Sequence, residues 1–331
     1  MNIIVPMAGW GSRLRPHTLT VPKPMLKIAG KSIVERLISN ISKTVESGID
    51  NIVFIIREDF GSAIESQLRS IADKYNAQSH IAYQSEPLGT GHAILCAGEY
   101  LKGNIVVGFA DTMFDADFKI DIDSDAVIWV KQIPNPEAFG VIKLDESGVI
   151  SEFIEKPKDF ISDLAIIGIY YFKDGNNLRE ELQYLIDNQI TEKGEYQLTT
   201  ALEHMRQKGK KMRAGTVKTW LDCGNKNATI ESSIEVLKSG QDTRNDGKLI
   251  DSVVIQPCYI ESDVQIFQSV IGPHVSIGKG SIIKNARIID SMIQDNSVIE
   301  NKIFTNSMIG SNVSFLGKIE DLSIGDYNQI Q

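Results

Sequence analysis

The sequence predicts an α/β domain built on a mixed, mainly parallel sheet, followed by a short parallel β-helix. Three observations carry this expectation. Short apolar runs, Asn2–Pro6 and Asn51–Ile56, alternate with stretches of helical periodicity, the pattern of a parallel sheet covered on both faces. Late in the chain, isoleucines stand at 271, 277, 283 and 289, and a six-residue period is the mark of hexapeptide coils. Between the two regions, residues 240–249 are polar and turn-rich and read as a linker. At 331 residues the chain exceeds what one small core organises. The expected boundaries are 1–239, 240–249 and 250–331.

Taken in order, strand 2–6 runs into a glycine loop, and Ser32 then caps a helix with Glu35 three residues on. Ile33, Leu37, Ile38 and Ile41 give that helix its apolar face, and Gly48 ends it. Strand 51–56, helix 60–75 and strands 79–83 and 104–110 follow, with Asp111 at the end of the last. The middle reads as strands over 126–130, 140–144, 149–155 and 166–172. A helix from about 195 to 207, a strand over 211–217 and a helix over 225–238 complete the first domain. In the repeat, residues 293 and 299 keep the step of six, and Ile303, Ile309 and Phe315 resume it after an offset. Three hexads per coil give about four coils. The end coils leave strand edges to be paired, so assembly into a homo-oligomer is expected.

Bulk properties narrow the function. A formal net charge of -9 argues against nucleic acid as a partner. Cys96, Cys223 and Cys258 are widely spaced and form neither a metal pair nor a disulfide framework. No signal peptide and no apolar run long enough for a bilayer is present, which makes a cytoplasmic enzyme without a membrane partner the expectation.

The segment from Met1 to Val34 contains no Asp or Glu, yet it carries Arg13, Arg15, Lys23, Lys27 and Lys31. Glycines at 9 and 11 directly after a strand let backbone N–H groups approach an anion. A dinucleotide fingerprint would need a third glycine where Leu14 stands, and the phosphate loop ending in Gly-Lys-Ser/Thr is absent. A glycine turn with a solvated basic rim is the plain alternative. Other candidates have plain alternatives too. Gln84 is a surface amide or a base reader, Asp111 a turn residue or a ligand, and Glu155–Lys156 an exposed ion pair or a site. Asp222 is a helix cap or a ligand. His92 reads as a packing or capping residue of the helix that follows it.

Taken whole, the run from Gly9-Trp-Gly-Ser-Arg13-Leu to Pro22-Lys-Pro-Met25 closely resembles the sugar-phosphate nucleotidyltransferases. So do Pro87-Leu-Gly-Thr-Gly-His-Ala93, Phe139-Gly-Val141, Glu155-Lys-Pro157 and Trp220-Leu-Asp-Cys-Gly224. Trp10 stands where many members have a small residue, Ser12 replaces the commoner Thr, and Ala110 replaces the usual Gly before Asp111. The resemblance covers the chain to about residue 238 and implies a Rossmann-like nucleotidyltransferase domain; a left-handed β-helix is familiar in longer members. It implies Mg²⁺-dependent transfer of a nucleotide from a nucleoside triphosphate to a sugar 1-phosphate, giving a nucleotide sugar and pyrophosphate. Gly9, Gly11, Arg13 and Lys23 would then hold the triphosphate, Gln84 and Gly89 the base, and Asp111 and Asp222 the metal. Gly140, Glu155 and Lys156 would hold the sugar phosphate, with Arg13, Lys23 and Lys156 the catalytic charges. dTTP or UTP and glucose 1-phosphate are the favoured substrates. A non-catalytic regulatory subunit is one alternative, and a bifunctional enzyme whose β-helix transfers an acyl group, with His274 as base, is another.

Overall fold

A computed structural model describes residues 1–115, 120–240 and 242–319. Residue 241 of the expected linker and residues 320–331 of the expected β-helix lie outside the described residues. The chain forms two compact units, one of residues 1–26 and 32–224, the other of 27–31 and 225–331. Among the described residues no helix is long and apolar enough to cross a membrane.

In the first unit, β1 (Asn2–Pro6), β2 (Asn51–Ile56), β3 (Gln78–Tyr83) and β4 (Ile105–Gly108) are parallel, in the order β3-β2-β1-β4. Helices α1 (Ile33–Thr44), α2 (Ser62–Asp73) and α3 (Thr90–Leu95) occur in the crossovers between them. The expected cap of α1 is present: the Glu35 N–H donates to Ser32 Oγ at 3.3 Å. Alternate residues of each strand face opposite ways. Ile3, Val5, Phe54 and Val106 join the core under α1 and α2, while Ile4, Val53, Ile55 and Val107 join the core on the other face.

After β5 (Thr112–Phe114) come β6 (Ala126–Gln132), β7 (Gly140–Leu144), β8 (Ile150–Glu155) and β9 (Leu164–Phe172). Strand β9 pairs antiparallel with β4, β6 and β7, and β7 pairs with β8. Helix α4 (Gly175–Asp187) follows, an element absent from the sequence expectation. Its signals were there: Asp174 caps it through the Asn176 N–H, and Leu178, Leu182 and Leu185 are all buried. Helix α5 (Leu198–Gln207), β10 (Met212–Thr216) and β11 (Trp220–Asp222) complete the unit, with β10 parallel to β6 and β11 pairing antiparallel with β5.

The chain runs from β1 outward through β2 and β3, then returns to lay β4 on the other side of β1. The crevice beyond the carboxyl ends of β1 and β4 is therefore the switch point at which such sheets bind ligands.

The second unit opens with α6 (Lys226–Lys238), capped by Asn225 Oδ1, which accepts the Ala228 N–H at 3.1 Å. The rest is a three-faced parallel β-helix. One face carries strands 258–260, 275–277 and 291–293, the next 265–267, 282–284 and 298–300, and the third pairs Val270 with Arg287 and Arg287 with Ile303. Arg244–Asn245 within the stretch read as a linker, and Lys248–Ile250 at its end, already pair as strands with Tyr259–Ile260 and Gln265–Phe267.

The coil is shorter than three full hexads. Cys258 lies against Val275 and Val275 against Ser291, steps of 17 and 16 residues. The inward column on the third face is consequently Ile271, Ile288 and Phe304, while Ile303 is 82% exposed. Each corner is turned by residues of positive φ. One column is Asp251, Gln268, Asn285 and Asn301, a second Gly280, Asn296 and Asn312, and a third His274, Asp290 and Asn306. Asn and Asp tolerate this conformation best after Gly, which explains their frequency here. Buried serines bind coil to coil: Ser281 Oγ accepts from the Ser297 N–H, and Ser297 Oγ from the Val313 N–H.

Residues 27–31 form a short hairpin that belongs to this unit. Lys27 Nζ meets Asp295 at 2.6 Å, Lys31 Nζ meets Asp242 at 2.8 Å, and Gln294 Nε2 donates to the Lys27 carbonyl.

Candidate functional site

Two cavities open at the switch point of the first unit. The first, about 360 Å³, is lined by the end of β1, by Gly9, Gly11, Arg13 and Lys23, by Gln84 and Gly89, and by Asp111. The second, about 220 Å³, is lined by Asp111, Gly140, Glu155, Lys156 and Asp222 with the aromatic rings of Phe139, Tyr170 and Trp220. Thr90, Phe109 and Asp111 border both. Every residue singled out for the site thus lines one cavity or the other, and Asp111 lies where they meet.

The first cavity is built from the glycine loop inward. Gly11 has φ +76°, and a Cβ there would lie 2.6 Å from Lys23 Cβ. Only glycine lets the loop close over the Lys23 stem. Thr18 Oγ1 donates to the Gly11 carbonyl at 2.8 Å, and the Lys23 N–H to the Trp10 carbonyl. Lys23 is buried, and its ammonium lies 3.5 Å from Asp111 Oδ2; Arg13 stands exposed at the rim. The indole of Trp10 packs edge-on against Phe60 at 5.1 Å, so the bulky residue between the glycines anchors the loop to the chain just after β2. It also bonds the Asp59 carboxylate, which the Arg57 guanidinium above all holds below the usual carboxylate range.

On the opposite wall, Gln84 is buried, and its side-chain nitrogen lies 3.2 Å from the Gly89 carbonyl and 3.1 Å from His92 Nδ1. Gly89 has φ +116°, and a Cβ on it would meet the Tyr196 carbonyl at 2.6 Å.

In the second cavity Glu155, at the end of β8, accepts from Thr199 Oγ1 at 3.1 Å and pairs with Lys156 Nζ at 3.2 Å. Lys156 has φ +44°, an uncommon conformation for a non-glycine residue and one that concentrates at functional sites. A Cβ on Gly140 would come within 3.0 Å of Glu155 Oε2, so glycine keeps the carboxylate's approach open. Burial, with the Glu155 and Asp111 charges, pushes the Tyr170 phenol well up, leaving a neutral hydroxyl.

Asp111 and Asp222 are brought together by the β5–β11 ribbon, in which Asp222 is the register partner of Thr112. A Cβ on Gly224 would lie 2.7 Å from Asp222 Oδ2. The cap of α6 is Asn225, so Asp222 does not serve as that cap. Among the described residues no group of three His, Cys, Asp or Glu side chains converges. Asp111 and Asp222 line one cavity, close to a basic glycine loop, and carboxylate oxygens are the donors that a hard divalent cation takes.

Thr90 and Gln197, which are not among the residues expected at the site, tie the walls together. Thr90 Oγ1 donates to Gln197 Oε1 at 3.0 Å and accepts from the Leu198 N–H. Thr90 sits inside a recognised motif, whereas nothing local to Gln197 or Tyr170 marks them; they arrive by the return of distant segments.

Residues 3–239 match the family model described as nucleotidyl transferase. The chain belongs to this family. Among curated members, the bifunctional protein GlmU of Methanocaldococcus jannaschii is 32% identical over 259 residues, covering 77% of this chain and 59% of that protein. The chain spans between half and three fifths of the length of the first GlmU relatives it matches. A glucose-1-phosphate thymidylyltransferase of Streptomyces antibioticus is 25% identical over 100% of this chain and 99% of its own. The fold agrees with a nucleoside-diphosphate-sugar pyrophosphorylase of Vibrio cholerae, at a TM-score of 0.61 and 23% identity, over 70% of this chain and 99% of that one.

Proposed function

We propose that this chain transfers a nucleotide from a nucleoside triphosphate to a sugar 1-phosphate, with Mg²⁺, releasing pyrophosphate. The observation that carries the reading is the pair of cavities sharing Asp111, one cationic and glycine-lined, the other lined by Glu155, Lys156 and aromatic rings. A sugar-phosphate oxygen bonds to the α-phosphorus as the bond from that phosphorus to the β-phosphate bridging oxygen breaks. The nucleophile is already ionised, so the protein's task is positioning and charge neutralisation rather than proton abstraction.

Gly9 and Gly11 let backbone approach the triphosphate, and Arg13 and Lys23 take up its charge. Asp111 and Asp222 would hold the cation, which when bound would supply charge neutralisation for the phosphates. Lys156 holds the sugar phosphate while Glu155 accepts from sugar hydroxyls, and the neutral Tyr170 hydroxyl lines the same cavity. Gln84 reads the base, which favours dTTP or UTP; glucose 1-phosphate is the favoured acceptor, in keeping with the thymidylyltransferase likeness. A regulatory, non-catalytic role would not require Arg13, Lys23, Asp111, Lys156 and Asp222 together, and all are present.

The test is pyrophosphate release with Mg²⁺ across five triphosphates and several sugar 1-phosphates. One pair should stand out, and Asp111→Ala should lower its turnover roughly 10²-fold or more, as deleting a charge-stabilising group does. A silent grid with folded protein, or an unaffected Asp111 variant, would contradict the reading.

A further inference from the structure

The first cavity contains a polar end whose direction is fixed by its surroundings. Gln84 immediately follows β3, and its backbone N–H continues the ladder by donating to the Ile56 carbonyl at 2.9 Å. Its side chain is mostly buried in the cavity wall, so most of its amide's hydrogen bonds have to be made to protein groups. The end of the amide that lies 3.2 Å from the Gly89 carbonyl must be the NH₂, because a carbonyl only accepts. That carbonyl is itself held in place, accepting the Ala93 N–H as the first turn of α3. The same amide nitrogen lies 3.1 Å from His92 Nδ1. Nδ1 must then carry its lone pair, which puts the ring proton on Nε2.

Both amide hydrogens are therefore engaged by protein acceptors. Among the described residues no donor faces Gln84 Oε1, and it is not a sealed, unpartnered atom. The group that Gln84 offers to the cavity is an acceptor alone.

We infer that His92 is a positioning residue for base selection: by accepting from the Gln84 amide it keeps Oε1 toward the nucleotide and selects bases with a ring N–H on their pairing edge. The inference rests on the nucleotidyl-transfer reading and deepens it. Uracil and thymine present N3–H, and guanine N1–H, to such an acceptor. Cytosine N3 and adenine N1 present lone pairs at the same position. Turning the amide over to suit them would set Oε1 against both the Gly89 carbonyl and the Nδ1 lone pair. A site built to receive an N–H rejects the analogue that lacks it, because its own polar group is left unpaired. His92 does this at one remove, since it is half-buried on α3 and does not line the cavity.

The test compares equilibrium binding of UTP and CTP, which share ribose and triphosphate and differ only at the pairing edge. Wild type should prefer UTP. His92→Phe keeps a flat ring but removes the acceptor, and should narrow the UTP-to-CTP ratio by about three- to tenfold, the worth of one hydrogen bond. His92→Asn places an acceptor oxygen where Nδ1 stood and should keep the ratio within about twofold of wild type. Thermal unfolding of each variant checks the fold. A purely structural role would weaken both nucleotides equally, and equal loss in His92→Phe, or a His92→Asn variant that behaves like it, would overturn the inference. Wild type that bound UTP and CTP equally would overturn it while leaving nucleotidyl transfer standing. Wild type that bound none of UTP, dTTP, GTP, ATP and CTP would overturn both.

Discussion

Lys23 shows how much of this site depends on single residues outside the reacting groups. Its ammonium reaches Asp111 only because its stem passes beneath Gly11, where no Cβ intervenes. Gly11→Ala should cost about 1–2 kcal/mol or more in stability, from the positive φ and the clash with Lys23. It should also raise the KM for triphosphate as the ammonium moves, read by thermal unfolding together with steady-state kinetics. Unchanged stability and KM would mean that the loop does not hold the lysine. Cys258 is the converse case, a polar group that its surroundings seal off. It is fully buried, and burial pushes its thiol up to about 11.

At the scale of elements, the parallel strands carry different chemistry at their two ends. Their carboxyl ends hold the cavities, whereas their amino ends are tied by a polar chain of Asn2, Asn51 and His80 from β1, β2 and β3. Asn51 Nδ2 donates to Asn2 Oδ1 at 2.9 Å, His80 Nε2 lies 2.8 Å from Asn51 Oδ1, and Tyr100 Oη lies 2.9 Å from His80 Nδ1. Burial, with Arg69 adding and Glu99 opposing, holds His80 below its usual range. The unfolded chain then binds more protons than the folded one just below the ordinary histidine value. The stability from neutral His80 is present above about pH 6.5 and is lost as pH falls from there through the folded value. Unfolding midpoints should drop from pH 7 to 5 in wild type and drop less in His80→Gln; identical slopes would refute the assignment.

Elements also differ in how legible they were. Strand 51–56 and the Ser32 cap could be read because each announces itself within a few residues. Helix α4 was obscured by its opening, Gly175-Asn-Asn, whose low helix propensity is overridden by packing of its leucines. The ribbon of β5 and β11 joins residues more than a hundred apart, and no local pattern could disclose it.

Across the whole molecule, periodicity foretold a repeat but not its length. A step of six fits Ile271, Ile277 and Ile283, yet coils of 16 and 17 residues shift the later positions, burying Ile288 and leaving Ile303 outside. The shortening falls at corners turned by single residues of positive φ, a backbone property that side-chain hydropathy does not register. The glycines and charged residues of the cavities could be collected from the sequence because they sit in recognisable motifs, whereas Gln197 and Tyr170 could not; that two cavities share Asp111 required the sheet's return through β9. The measurement that tests this two-cavity account most directly is a pair of Michaelis constants, one for each substrate, in two single-charge variants. Arg13→Ala should raise the KM for the nucleoside triphosphate about tenfold or more, the loss of a charged hydrogen bond, and leave that for the sugar 1-phosphate within about twofold. Lys156→Ala should do the reverse. Variants that raised both constants together, or the wrong one, would contradict it.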